Sequence, residues 1–241
     1  MFRKAVLIFA LAALANTAGA HDVITTKITW SKEISRLVYK RCASCHAEGS
    51  SIPLVTYEQS RPWAKSMKEE VLERRMPPWA AVKGFADFKD DRSLTQEEME
   101  WISDWVEGGS PEGDPKFLPE APKPTSKTTE SAWLDPAMPD GSSQTDVASG
   151  MKLSASESVL AIRPKDFAKG ATVQAIAARP DGTFEPLLWI YNFNPDFART
   201  YYYTGPVSLP AGTSIIMSPA DSGKLVLFAA HGKASGTGGL R

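Results

Sequence analysis

The sequence predicts an α + β chain of two domains, an all-α domain followed by an antiparallel β-sandwich-like domain. Helical periodicity with capping signals is confined to residues 31–109. A stretch rich in Pro, Glu, Lys, Ser and Thr follows, and beyond it short apolar runs are separated by Pro, Gly and Asp turns. On this reading residues 1–20 form a leader, 21–115 the helical domain, 116–130 a linker and 131–241 the β domain. The 241 residues suffice for two modest domains. With 27 basic and 28 acidic side chains, no single-sign field draws nucleic acid or an anionic membrane, so nucleic acid is not an expected partner.

The leader reads as a secretory signal. Arg3 and Lys4 supply the positive end, Ala5 to Ala15 are all apolar, and Ala18-Gly19-Ala20 is a small-residue cleavage pattern. Cleavage near Ala20 would leave His21 at the amino terminus and place the product in the periplasm or outside the cell. The apolar run is short for a bilayer span, so no transmembrane segment is expected in the mature chain.

In the helical stretch, Ser31 is a candidate cap for a helix running to Arg41, with Ile34, Leu37 and Val38 on its apolar face. Thr56 and Gln59 form a capping box ahead of Trp63, Met67, Val71 and Leu72, and this helix must end at Met76 because Pro77 and Pro78 cannot continue it. Thr95 and Glu98 form a second box, Leu94 and Met99 occupy the staple positions, and Ile102, Trp105 and Val106 continue the face up to Gly108-Gly109. Strands are expected around Val159–Ile162, Ala171–Ala177, Leu187–Tyr191, Thr200–Tyr203 and Leu225–Ala230. The aromatic cluster Trp189, Tyr191, Phe193, Phe197, Tyr201, Tyr202 and Tyr203 is expected as strand core and cross-strand pairs.

Cys42 and Cys45 are the chain's two cysteines, and Cys42-Ala43-Ser44-Cys45-His46 is a haem c attachment pattern. Two intervening residues let one turn of chain bring both thiols to the vinyl groups of one haem, and the adjacent imidazole then lies under the iron. A thioredoxin-like dithiol would want a βαβ context, and a zinc site about four ligands. A disulfide across so short a loop would constrain little. The expectation is one covalent haem c held by Cys42 and Cys45, with His46 as an axial ligand. For the sixth position, Met67 and Met99 fall on helix faces as core filler. Met76 sits at a helix end with Pro77, Pro78 and Trp79 after it, so it is the candidate axial thioether, and Met/His ligation would raise the reduction potential.

These residues carry a resemblance. Cys42 to His46, Arg75-Met76-Pro77-Pro78-Trp79 and the ending Trp105-Val106-x-Gly108-Gly109-x-Pro111-x-Gly113-Asp114 make residues 28–115 similar to the class I-like cytochrome c domains of bacterial secreted proteins. The resemblance implies that the first and last helices cross beside the haem, with Leu37, Val38, Ile102 and Trp105 in contact. Leu188 to Asn194, Arg199 to Tyr203 and Val207 to Thr213 resemble part of the carboxy-terminal domain of copper type II ascorbate-dependent monooxygenases. Copper there needs His and Met ligands, whereas this region offers His231 alone, so copper is not expected and oxygenase activity does not carry over. A free His21 terminus could chelate copper only with a second histidine nearby. The expected function is electron transfer in the periplasm with redox partner proteins. The alternative is an electron-delivering haem domain of an oxidoreductase or monooxygenase-like assembly.

Overall fold

The computed structural model describes residues 26–123 and 142–230. The leader, His21, His231, the linker beyond residue 123 and the Gly-rich tail lie outside the described residues.

The described chain opens with a π-helical turn, Trp30–Ile34, that runs directly into helix α1, Ser35–Arg41. Ser31 does not cap it. Thr29 precedes the turn in extended conformation, its N–H donating to the Glu33 carboxylate at 2.9 Å. The free N–H groups of Trp30 and Ser31 donate to the carbonyls of Pro111 and Glu112 at 3.0 and 2.8 Å, which satisfies donors that every helix start leaves over. This approach needs Gly113: its φ is +86°, and a Cβ there would lie 2.5 Å from the Ser31 hydroxyl.

The predicted helix 56–76 is broken. Thr56 and Gln59 do make the reciprocal capping box, but it starts only a single turn, α2 (Tyr57–Ser60). A 3-10 turn at Arg61–Trp63, where Pro62 sits, separates it from α3 (Ala64–Leu72). Helix α3 stops short of Met76, and Arg74 takes the left-handed φ of +54°. Helix α4, Gln96–Glu107, is built as predicted, with the Thr95/Glu98 box at its start and Gly108 at its end. The apolar faces meet in one cluster that includes Trp30, Ile34, Leu37, Val38, Met67, Val71, Met99, Ile102 and Trp105. Trp30 packs on Trp105 with ring centroids 6.1 Å apart.

Among the described residues seven strands form two antiparallel sheets: β1 (Ser142–Val147), β2 (Glu157–Lys165), β3 (Val173–Ala178), β4 (Phe184–Ile190), β5 (Tyr201–Leu209), β6 (Ser214–Ser218) and β7 (Lys224–Ala230). One sheet has the order β1-β7-β2-β5 and the other β4-β3-β6. Their inward residues, among them Val159, Ile162, Val173, Ala175, Ala177, Leu187, Ile190, Leu209, Ile215, Leu225 and Leu227, share one core. Alternation is clear in β3 and β6. It is lost in β7, where Val226 and Phe228 are also buried, against Ala161 and Tyr202 on the other face.

The expected fold class, an all-α domain followed by a β domain, is corrected. The molecule is mostly β, with two antiparallel sheets and short helices, 28% strand against 25% helix. Among the described residues the longest helix spans only the twelve residues Gln96–Glu107. Nor does the stretch expected to be all-α keep to the helices: Trp79, Ala81 and Phe88 are buried in the sheet core. Ala81 forms an antiparallel bridge to Ile190 on the edge strand β4, and Phe88 one to Tyr203 on the edge strand β5. Residues 79–89 thus strap together two sheet edges that belong to different sheets. The reason is local. Pro77 and Pro78 exclude helix, and the extended chain after them can pair with edge-strand groups that otherwise face solvent.

Candidate functional site

The Cys42–His46 segment is a turn that unwinds the end of α1. The N–H groups of Cys42 and Ala43 both donate to the Val38 carbonyl at 2.8 Å, and those of Cys45 and His46 donate to the Cys42 carbonyl at 3.0 and 2.9 Å. The start of this turn is pinned by Arg41, which grips Glu98 of α4 with Nε and Nη2, both at 3.1 Å. Burial pushes Glu98 up, yet the Thr95 N–H and the Arg41 and Lys40 cations hold it below the usual carboxylate range.

His46 is oriented by the backbone. Its Nδ1 lies 2.8 Å from the Ile52 carbonyl. A carbonyl can only accept, so Nδ1 carries the proton and Nε2 keeps its lone pair, the arrangement found in metal-ligating histidines. The Leu54 N–H donates to the His46 carbonyl at 3.0 Å, fixing the loop that supplies this acceptor. The loop is held in turn by the buried Ser60 hydroxyl, which donates to the Leu54 carbonyl at 2.8 Å.

Cys42, Cys45, His46 and Met76 line one cavity of about 720 Å³. Met67 and Val71 of α3, Ile102 of α4 and Leu54 give it apolar walls, Pro77 and Pro78 extend the Met76 side, and Phe197 reaches it from the 3-10 turn after β4. The size is within the range of cofactor pockets. This chemistry suits a covalent haem: a mostly apolar slot, two thiols on one turn, an imidazole with Nε2 free, and a thioether on another segment. Both cysteines are free thiols. Burial, and then the neighbouring Cys45, push the Cys42 thiol up to about 12. Thioredoxin-like chemistry needs the opposite shift. Among the described residues no three His, Cys, Asp or Glu side chains gather as a metal site.

Met76 is held from the helix side by its own N–H, which donates to the Glu70 carbonyl at 3.1 Å; the Arg75 N–H shares that acceptor at 2.8 Å. Met67 also lines the cavity while packing in the helical core, and Met99 packs in that core without reaching the cavity. Leu37, Val38, Ile102 and Trp105, the expected helix contacts, are buried together, but Trp30 and Ile34 of the π-helical turn join them.

Sequence reasoning missed three contributors: the Ile52 carbonyl, Phe197 as a cavity wall, and the partners of the aromatic cluster. Tyr201 meets Trp79 edge-on at 5.1 Å, Tyr203 stacks on Phe88 at 5.1 Å, and Trp189 meets Phe85 at 5.7 Å. These pairs come from the strap 79–89 rather than from neighbouring strands. The Trp and Phe residues after Pro78 were a visible signal for this, since an apolar segment with no helical period must be buried elsewhere.

A second cavity, of about 460 Å³, shares Met76, Pro78 and Phe197 with the first and is flanked by Arg74, Arg75, Lys169 and Asn192. No helix is long and apolar enough to cross a membrane among the described residues. No model of a known protein family, no curated protein and no solved structure shows a significant match to the chain.

Proposed function

We propose that this chain is a c-type cytochrome that carries one haem, bound covalently through Cys42 and Cys45, and transfers electrons in the periplasm or outside the cell. The observation that supports it most is the convergence of Cys42, Cys45, His46 and Met76 on one apolar cavity, with the His46 ring turned by the Ile52 carbonyl so that Nε2 is the free nitrogen. The haem would supply a one-electron couple. His46 and Met76 would hold its iron, and the apolar walls would limit the access of water to it. A closed sixth position suits an electron carrier that docks redox proteins transiently through a small interface. The second cavity beside Met76 favours one other reading, an electron-delivering haem unit of an oxidoreductase or monooxygenase-like assembly that takes a substrate or partner there.

The test uses the full chain produced with haem attachment. Acid–acetone extraction should leave the haem on the polypeptide, and a Cys42→Ser/Cys45→Ser double variant should release it. The ferric protein should show a thioether-to-iron absorption band that vanishes in Met76→Ala and survives in Met67→Leu. Haem extracted from the wild type would overturn the attachment, and a band lost in Met67→Leu alone would move the ligand to Met67. Saturable binding of a small organic substrate with turnover would favour the second reading.

A further inference from the structure

We propose that the edge of the β-sandwich is the device that holds Met76 over the cavity, with Trp79 and Asn192 as positioning residues. The inference rests on Met76 being the sixth ligand, and it assigns a role to the sheets that the haem motif alone leaves without one.

Two clamps flank Met76, and both come from the sheets. On its amino-terminal side, the Asn192 Nδ2–H donates to the Glu73 carbonyl at 3.1 Å, and the Arg74 guanidinium lies 5.7 Å from the centre of the Tyr191 ring. Asn192 adopts φ +50° just after β4, a left-handed conformation that asparagine tolerates well. On its carboxy-terminal side, Trp79 is buried in the sheet core, edge-on to Tyr201 and under the Arg199 guanidinium at 5.4 Å. The chain beyond it is laced to β4, with the Tyr191 N–H donating to the Ala80 carbonyl at 2.9 Å and the Val82 N–H to the Trp189 carbonyl at 2.8 Å. From α3 the loop receives the Val71 carbonyl, which accepts from the Arg74 N–H at 3.1 Å, the Glu70 carbonyl shared by the Arg75 and Met76 N–H groups, and the Arg75 pairing to Glu69 and Glu70. The helix thus fixes the chain up to Met76, and the sheets fix it from Trp79 onward and grip Glu73 and Arg74 from outside. Loosening that edge should free the thioether while the Cys42–His46 turn, which is held by other contacts, keeps the haem.

The experiment compares holoproteins carrying Asn192→Asp and Trp79→Phe with the wild type. Asn192→Asp keeps size and backbone preference but cannot donate to Glu73. The readouts are carbon monoxide association with the ferrous protein, which requires the thioether to leave, and the pH at which the ferric thioether band disappears. Loss of one hydrogen bond should speed association by about fivefold to tenfold. It should also move the loss of the band to lower pH, with haem content unchanged. Trp79→Phe should act in the same direction, and Phe184→Ala, on the solvent-facing start of β4, should match the wild type. If Trp79→Phe fails to fold, Asn192→Asp decides alone. Wild-type behaviour in the foldable variants, with the band lost in Met76→Ala, overturns the clamp and leaves the ligand standing. An unchanged ferric spectrum in Met76→Ala overturns the ligand, and the clamp as a ligand-positioning device falls with it.

Discussion

At the residue scale, Glu98 does two jobs at once. It closes the capping box of α4 through the Thr95 N–H at 2.9 Å, and it grips Arg41 beside the first cysteine. Both side chains of that pair are close to buried, so removing one strands the other. Glu98→Ala should cost about 2–4 kcal/mol, the sum of a lost cap and an unpaired, largely buried cation. Urea denaturation measures this, and a loss under about 0.5 kcal/mol, the level of an ordinary surface substitution, would contradict it. The pH dependence has a definite sign. Because folding holds Glu98 below the ordinary carboxylate range, its contribution is fully present above the unfolded value and is lost as pH falls through the folded one. Glu98→Gln should therefore flatten the acid side of the stability curve. Cys42, Cys45, His46 and Met76, which line one cavity, stood out in the sequence through their spacing along the chain and the flanking prolines. The Ile52 carbonyl was not readable, since every residue has one and only the folded loop aims it.

At the scale of elements, what the sequence revealed depends on which force makes each one. Capping boxes are local chemistry, and both predicted boxes formed, although Pro62 cut the helix that the first one starts. Strands were visible where apolar runs were long. Strand β1, Ser-Ser-Gln-Thr-Asp-Val, has only Val147 buried and owes its conformation to pairing with β7. Strand β6 does alternate, Ile215 and Met217 inward and Ile216 outward, but over too few residues to stand out. The sheet order makes a prediction of its own. Strands β2 and β7 have partners on both sides, whereas β1 has one and contributes a single buried residue. Hydrogen exchange should show β2 and β7 amides opening only with global unfolding, and β1 amides exchanging faster by local fraying. Equal protection in β1 and β7 would mean that the outer edge is covered by something beyond this sheet.

At the scale of the molecule, the decisive feature is the strap 79–89, which leaves the helices at Pro77-Pro78 and finishes the sheets. Expecting an all-α unit was reasonable while only helical periodicity was in view, because an extended segment advertises its partners only after folding. The Lys89 N–H donates to the Tyr202 carbonyl at 2.7 Å and the Thr204 N–H to the Asp87 carbonyl at 3.0 Å, in addition to the pairing with β4. Trp79 and Phe88 fill the sheet core itself. The strap should then unfold with the sheets and not with the helices that precede and follow it in sequence. Leu227 lies 1% exposed in the sheet core, and Leu227→Ala should cost about 3 kcal/mol through lost burial and the cavity left behind. In hydrogen exchange along a urea series, that substitution should lower the opening free energy of the Val82 and Lys89 amides as much as that of amides in β3 and β4. If Val82 and Lys89 instead track Ile102 and Trp105 of α4 and ignore the change, the strap belongs to the helices. Agreement with the sheets would mean that any loss of sheet stability reaches the segment carrying Met76, a few residues from the strap, before it reaches Cys42 and Cys45.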